Sequence, residues 1–162
     1  MSKILVTYVS KTGSTKEVAE RIKKILSNNH QVDIRPMSEN ISLEHYDGII
    51  IGGPVNGMNW HVDAKAYVKT HEKLLKNKKV ALYTLGIMAK QGRKFFMKKV
   101  NHVLDVSEKN INAMSTAVFG GVAEGGYSTF MSFMFGISKT SDADQRDWHK
   151  IENWAKELSN KF

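Results

Sequence analysis

The sequence predicts an α/β domain in which helices cover both faces of a parallel sheet, giving three layers. The chain has 162 residues, a usual length for one domain. Hydrophobic residues make up 41% of it and charged residues 25%, as in most globular proteins. Short apolar runs alternate with segments of helical periodicity, which is typical of a parallel sheet with crossover helices. We therefore treat residues 1–162 as one domain.

The first half of the chain predicts three strands and two helices. Residues 4–9 read ILVTYV, a nearly continuous run of β-branched and aromatic residues that suits a strand covered on both faces. Residues 14–26 place apolar side chains three and four positions apart, which is helical spacing. A short strand is predicted over residues 31–35, before a proline, and a buried strand over residues 47–53, DGIIIGG. Residues 62–75 predict the second helix.

The second half continues the alternation. Strands are predicted over residues 80–85 and 113–121, and helices over residues 95–104 and 148–158. Residues 122–141 lie between the last strand and the last helix and belong to neither. A stretch of that length in a compact domain is usually functional or disordered.

The loop after the first strand carries the residue types of a phosphate-binding turn. Hydroxyl and backbone N–H groups can surround a phosphate, and the N-terminus of the following helix adds partial positive charge. The glycine permits close backbone approach or a positive φ. The alternative is an ordinary helix start, with Ser14 or Thr15 as N-cap. The candidate site consists of Ser10, Lys11, Thr12, Gly13, Ser14 and Thr15.

Several function classes are excluded by what the sequence lacks. It contains no G-x-x-x-x-G-K-[ST] and no G-x-G-x-x-G motif, so a P-loop enzyme and a dinucleotide-binding fold are not supported. Ser10 and Gly53-Pro54 stand where a phosphoryl-accepting receiver domain needs carboxylates. The six histidines form no metal-ligand spacing, and the chain has no Cys. If this protein transfers electrons, a bound cofactor must therefore carry them.

The positive net charge points to anionic partners. Lys and Arg number 24 against 16 Asp and Glu, a formal charge of +8. A phosphate cofactor, nucleic acid or an acidic membrane surface would fit, and a merely solvated basic surface is the alternative. Basic and aromatic residues are not interleaved as base stacking requires, so we expect no nucleic acid. With no apolar run near the length of a membrane span and no signal peptide, we expect a cytoplasmic protein, at most peripheral to the membrane.

Three segments together resemble the flavodoxin-domain family. Residues 10–15, SKTGST, look like its FMN-phosphate loop, and residues 53–60, GPVNGMNW, are similar to its second flavin loop. Residues 144–148, DQRDW, with Ile151 and Trp154, resemble the branch of menaquinone-dependent protoporphyrinogen dehydrogenases, which also carry an insertion before the last helix. The resemblance implies a five-stranded flavodoxin-like sheet of order 2-1-3-4-5 and a non-covalently bound FMN.

The resemblance also implies which loops hold the flavin ring. The loop after the third strand would cover one face with Pro54, Val55, Asn56, Gly57, Met58 and Trp60. The loop after the fourth strand would supply the other side with Thr84, Leu85, Gly86 and Ile87. Trp60 either stacks on the ring or packs in the core beneath the loop. Gly57 is the expected pivot of a redox-linked peptide turn, although Met58 stands where some relatives have glycine; the alternative is a plain turn. His61 is either a proton donor beside this loop or an inert surface histidine.

The surroundings of the expected ring suggest how the flavin is used. Positive charge there would stabilise the reduced, anionic flavin and favour electron acceptance, unless the basic residues form only a solvated helix face. These residues are Lys90, Arg93, Lys94, Lys98 and Lys99.

Three functions remain open at this point. The first is an FMN-dependent oxidoreductase, resembling protoporphyrinogen dehydrogenase, with a quinone acceptor. The second is a flavodoxin that carries single electrons between redox partner proteins. The third is a basic binding domain without flavin.

The apolar residues 127–137 bear on this choice. They would contact a porphyrin, a quinone or a membrane, or alternatively cap the sheet or form a homodimer contact. No Lys or Arg lies between Tyr127 and Ser138, which disfavours a porphyrin because its propionates need cationic partners.

Overall fold

The computed structural model describes residues 1–56, 59–86, 98, 102, 104, 110–122 and 144–162. Five parallel strands form the sheet in the order β2-β1-β3-β5-β6, and a two-residue strand, β4, pairs antiparallel with β3. The strands are β1 (Lys3–Tyr8), β2 (Gln31–Pro36), β3 (Gly48–Asn56), β4 (Asn59–Trp60), β5 (Lys79–Gly86) and β6 (Ser115–Gly120). The predicted α/β class is confirmed. Without the added β4, the strand order is the expected 2-1-3-4-5.

Helices pack on both faces of the sheet. They are α1 (Ser14–Leu26), α2 (Val62–Thr70), α3 (Glu72–Leu75) and α4 (Trp148–Lys161), with a 3₁₀ turn at Met37–Glu39. The prediction of one helix over residues 62–75 is wrong, because the chain leaves helical geometry at His71, with φ −100° and ψ 10°. The His71 ring packs against Tyr67, with ring centroids 4.6 Å apart. Beyond the break, Leu75 is fully buried.

The side chains of each strand alternate between two cores, so apolar residues are needed at nearly every strand position. Ile4 and Val6 of β1 pack with α1 and α4 on one face of the sheet. Leu5 packs with α2 and α3 on the other face. Arg21 and Glu152 join α1 to α4 through an ion pair of 2.7 Å.

Two predicted segments lie largely outside the described residues. For the helix predicted over residues 95–104, only Lys98, His102 and Leu104 are described; all three are helical, and Leu104 is buried. Of the segment 122–141, only Val122 is described, and it forms an isolated bridge with Asp144. None of the helices within the described ranges is long and apolar enough to cross a membrane.

Strand register brings three loops to one edge of the sheet. Tyr8 lies beside Gly52 in the pairing of β1 with β3, and Gly53 lies beside Thr84 in the pairing of β3 with β5. The strands run parallel, so their carboxyl ends meet at this edge. In open α/β sheets ligands bind there, where the strand order reverses.

Candidate functional site

The loop between β1 and α1 folds around Gly13. This residue is the N-cap of α1 and has a left-handed backbone, with φ 93° and ψ −24°. Its N–H donates to Ser10 Oγ at 3.0 Å, which closes the loop on itself. The alternative N-caps Ser14 and Thr15 are wrong. They are the first two residues of the helix, and among the described residues no side chain caps α1.

The first turn of α1 presents polar groups that the helix itself does not satisfy. Regular helical bonding begins with Glu17 N–H, which donates to Gly13 O at 3.0 Å. The N–H groups of Ser14, Thr15 and Lys16 precede it and have no carbonyl one turn back. Thr15 is only 1% exposed, and its Oγ1 has no hydrogen-bond partner within the described part of the chain. An anion at this helix end would use both the free donors and the dipole.

The outer residues of the loop face solvent. Lys11 and Thr12 are exposed, and Ser14 is half-buried. Thr12 Oγ1 and Ser14 Oγ are 3.4 Å apart and share a hydrogen bond. The structure therefore brings all six predicted residues of the first loop into one turn at the carboxyl edge of the sheet.

The second loop begins as a hairpin, in which Val55 pairs with Trp60 and Asn56 with Asn59. Trp60 is 2% exposed and belongs to the core cluster on the α2 face. Its Nε1 donates to Gly53 O at 3.2 Å. This is the placement expected from the core alternative. Pro54 and Val55 are half-buried and Asn56 is exposed, whereas Gly57 and Met58 lie outside the described residues.

The Gly53 carbonyl joins the second loop to the third. Besides the Trp60 indole, it accepts a hydrogen bond of 2.8 Å from Thr84 Oγ1, which is fully buried. A Cβ at position 53 would lie 2.9 Å from Trp60 Nε1 and 3.0 Å from Ala64 Cβ, so the close packing needs glycine. Neither side-chain bond was anticipated, because nothing in residue spacing marks a backbone carbonyl as a shared acceptor.

The rest of the third loop continues from Thr84. Leu85 and Gly86 are buried, and the carbonyl of Gly86 accepts a hydrogen bond from Gly121 N–H at 3.1 Å. Ile87 lies outside the described residues. Of the five basic residues expected near the ring, only Lys98 is described, and it is exposed.

His61 is buried, so its interpretation as a surface histidine is wrong. It is 4% exposed and is the N-cap of α2, where its Nδ1 accepts from Asp63 N–H at 3.3 Å. Its Nε2 is buried and has no partner among the residues that the structure describes. The sequence offered no sign of this, since an isolated polar residue before a helix usually faces solvent.

Arg146 is a residue near the loop whose contacts the sequence did not predict. Its side chain is 8% exposed and donates to Glu17 Oε2 at 2.7 Å and to Asp144 Oδ2 at 2.6 Å. Its Nη1 also lies 3.4 Å from Ser14 O. These contacts raise the pKa of Arg146, chiefly through the hydrogen bond with Asp144. A cation thus sits beside the first turn of α1.

A separate cleft of about 480 Å³ opens next to Ser10, between the ends of β1 and β2 and helix α2. Its lining includes Met37, Asn40, Tyr67 and His71. Burial raises the pKa of Tyr67 to about 12 and lowers the pKa of His71, so both side chains are neutral at neutral pH. Residue spacing does not indicate this cleft, because its walls come from three separate segments.

Comparison with known proteins places this geometry in a family. Residues 5–148 match the model of a family described as flavodoxin domain. Oxidised flavodoxin 2 from Bacillus cereus is 23% identical, with a TM-score of 0.67 over 99% of both chains. The Fusobacterium nucleatum flavodoxin bound to flavin mononucleotide is 16% identical, with a TM-score of 0.58 over 100% of this chain and 99% of that one. At such identities the structural likeness shows the fold alone. No curated protein sequence matches the chain.

Proposed function

Because this chain belongs to the flavodoxin domain family, we propose that it is an FMN-binding electron-transfer protein whose loop of residues 10–15 holds the flavin phosphate. The observation that carries the proposal is the hydroxyl of Thr15, which is buried in the first turn of α1 below a left-handed glycine and has no hydrogen-bond partner among the described residues. A buried hydroxyl without a partner costs about 1–3 kcal/mol. A phosphate oxygen would accept its hydrogen bond. One solved structural neighbour, the Fusobacterium nucleatum flavodoxin, contains FMN.

The phosphate would be held mainly by backbone N–H groups. Within the described part of the chain, those of Ser14, Thr15 and Lys16 donate to no backbone carbonyl, and the hydroxyls of Ser10 and Thr12 flank them. No charged side chain is needed in such a turn, because the helix N-terminus already carries partial positive charge. The exposed side chain of Lys11 therefore adds at most a screened, long-range attraction.

The flavin ring would lie between the second and third loops. The residues proposed for this site are Pro54, Val55, Asn56, Gly57, Met58, Trp60, Thr84, Leu85, Gly86 and Ile87. The bonds from Trp60 and Thr84 to the Gly53 carbonyl support a fixed spacing between the loops. Trp60, which lies in the core on the α2 face, would support the second loop from its buried side. When bound, FMN supplies the electron chemistry, which this chain without Cys cannot provide by thiols.

The partner of an electron carrier with this composition would be acidic. The formal charge of +8 favours encounter with a redox protein that has a negative docking surface. The carrier function is supported by the match of residues 5–148 to the flavodoxin domain family. A cytoplasmic location belongs to the same proposal.

A second candidate is an FMN-dependent oxidoreductase that resembles protoporphyrinogen dehydrogenase and passes electrons to a quinone. Its basis is the resemblance of residues 144–148, DQRDW, to that branch of the family. The apolar residues 127–137 would then meet the quinone, an acidic membrane surface or a second copy of the chain. They lie outside the described residues.

The first experiment is a visible spectrum of the purified protein before and after FMN is added. We expect flavin absorbance and saturation at one FMN per chain. A colourless protein that binds no added FMN would overturn the proposal and leave the basic binding domain as the alternative.

Redox titration then separates the two uses of the flavin. Two one-electron steps with transfer to an acidic partner protein support the carrier. A single two-electron step, with quinone reduction that depends on a reduced substrate, supports the oxidoreductase.

A further inference from the structure

The Arg146 guanidinium joins two carboxylates beside the first turn of α1. Its Nη1 donates to Glu17 Oε2 at 2.7 Å, and its Nε and Nη2 donate to the two carboxylate oxygens of Asp144 at 2.9 and 2.6 Å. The Arg146 side chain is 8% exposed, while those of Glu17 and Asp144 are 54% and 45% exposed. One nearly buried cation is thus shared between two partly solvated anions.

Contacts on both sides fix the position of this guanidinium. It stacks on the Trp148 ring, 4.6 Å from the centroid. The segment that carries it is held against the end of β6, where Gln145 N–H donates to Gly121 O at 3.0 Å. A Cβ at Gly120 would overlap the carbonyl of Gln145, so strand and segment are in close contact. Arg146 therefore has a defined place beside the loop.

Glu17 poses an electrostatic problem for a phosphate at the loop. Its carboxylate lies in the first turn of α1, where it is attracted to the same partial positive charge that would attract the phosphate. Two anions at one helix N-terminus repel each other, more strongly where solvent is partly excluded. The ion pair with Arg146 offsets part of the Glu17 charge, because the same guanidinium also pairs with Asp144.

We propose that Arg146 is a positioning residue that compensates the charge of Glu17 and thereby sets the preference of this chain for phosphorylated flavin over riboflavin. The inference rests on the proposed function, namely that the loop of residues 10–15 binds the FMN phosphate. Arg146 acts through Glu17 and through the Ser14 carbonyl, which lies 3.4 Å from its Nη1.

The net charge of Arg146, Glu17 and Asp144 predicts the order of FMN affinity among the variants. In the wild type the three side chains sum to one negative charge, from one Arg and two carboxylates. Substitution R146Q makes the sum two negative charges, E17Q makes it zero, and the double variant E17Q/R146Q returns it to one. The affinity for FMN should follow the same order: E17Q tightest, wild type and double variant similar, R146Q weakest.

The experiment measures dissociation constants of FMN and riboflavin for the apoprotein and its three variants, by quenching of flavin fluorescence. We expect R146Q to weaken FMN binding by about tenfold, the scale of one favourable charge at a helix end. The dissociation constant of riboflavin should change by less than about twofold. E17Q should tighten FMN severalfold, and it keeps the measurement informative even if R146Q does not fold. Higher salt should reduce the differences in FMN affinity.

The outcomes separate this proposal from the one on which it rests. If R146Q lowers the affinities for FMN and riboflavin equally, and E17Q/R146Q restores neither affinity, Arg146 is only a structural link and the proposal is overturned. If R146Q keeps the wild-type preference for FMN, the proposal is overturned and the phosphate site stands. If the wild type does not prefer FMN over riboflavin, the phosphate loop itself is wrong, and this inference falls with it.

Discussion

The phenol of Tyr83 donates a hydrogen bond of 3.1 Å to the carbonyl oxygen of Thr15. This bond links the centre of β5 to the first turn of α1 through the interior of the domain. The ring reaches that far because Gly52 leaves room for it; a Cβ at position 52 would overlap the phenol. The turn that is proposed to hold phosphate is therefore anchored from below by the sheet.

We expect Y83F to lower the free energy of unfolding by about 1–2 kcal/mol, because it removes a buried hydrogen bond and leaves the ring in place. Urea denaturation measures this. The comparison variant is Y46F, which removes the part-buried bond of 2.9 Å from Tyr46 to Asp33 Oδ2. Unchanged stability of Y83F would contradict the prediction.

Substitution T15V should separate stability from binding. Valine has nearly the shape of threonine and removes the buried hydroxyl that has no partner among the described residues, so the apoprotein should gain about 1 kcal/mol. FMN affinity should fall about 10- to 100-fold through loss of a hydrogen bond to an anion, whereas riboflavin affinity should not change. Thermal melts and flavin fluorescence measure the two effects. T70V, on an exposed part of α2, is the control and should leave FMN binding unchanged.

Substitution G13A should destabilise the loop through its backbone alone. None of the described atoms lies within 4 Å of a Cβ at this position, but φ is +93°, a conformation that costs an L-residue about 1–2 kcal/mol. G13N should lose less, because Asn tolerates left-handed geometry better than Ala. Urea denaturation should rank the free energies of unfolding in the order wild type, G13N, G13A, from highest to lowest. Equal stability of the wild type and G13A would show that the loop adopts another backbone in solution.

The burial of His71 predicts a pH dependence of stability. Burial lowers the pKa of His71 from its usual value near 6.5, so the unfolded chain binds its proton at a higher pH than the folded chain. The stabilisation that comes from a neutral His71 ring is therefore fully present above about pH 6.5. It is lost as the pH falls through the lower pKa that His71 has in the folded protein. Thermal melts between pH 7.5 and pH 5 should show a smaller decline for H71Q than for the wild type. H45Q removes an exposed histidine and should not change the decline; equal slopes for H71Q and H45Q would contradict the prediction.

Local periodicity was enough to predict most elements of the fold. The alternating apolar runs located the five parallel strands within one to three residues, and α1 was predicted at its observed bounds. The break at His71 was not predicted, because the apolar spacing of residues 62–75 continues across it. Strand β4 was also missed, since two residues are too few to show a period.

The sequence predicted which residues form the candidate site, but not which contacts their side chains make. Hydroxyls and a glycine before a helix identified the first loop, because those residue types act locally on the backbone. Trp60 could be named but not placed, since its burial depends on Ala64 of α2 and on the Gly53 carbonyl. His61 was misjudged because its burial depends on how α2 packs against the sheet.

The sequence by itself determined the order of strands and helices, the glycine at the first loop and the positive net charge, since each follows from neighbouring residues or from composition. Only the tertiary structure decided that Thr84 and Trp60 share one carbonyl and that Arg146 meets Glu17 across 129 positions of the chain. The physical reason is the separation along the chain over which each kind of signal acts. Periodicity records how a residue serves its own helix or strand, whereas an ion pair between distant residues arises only when packing brings their elements together.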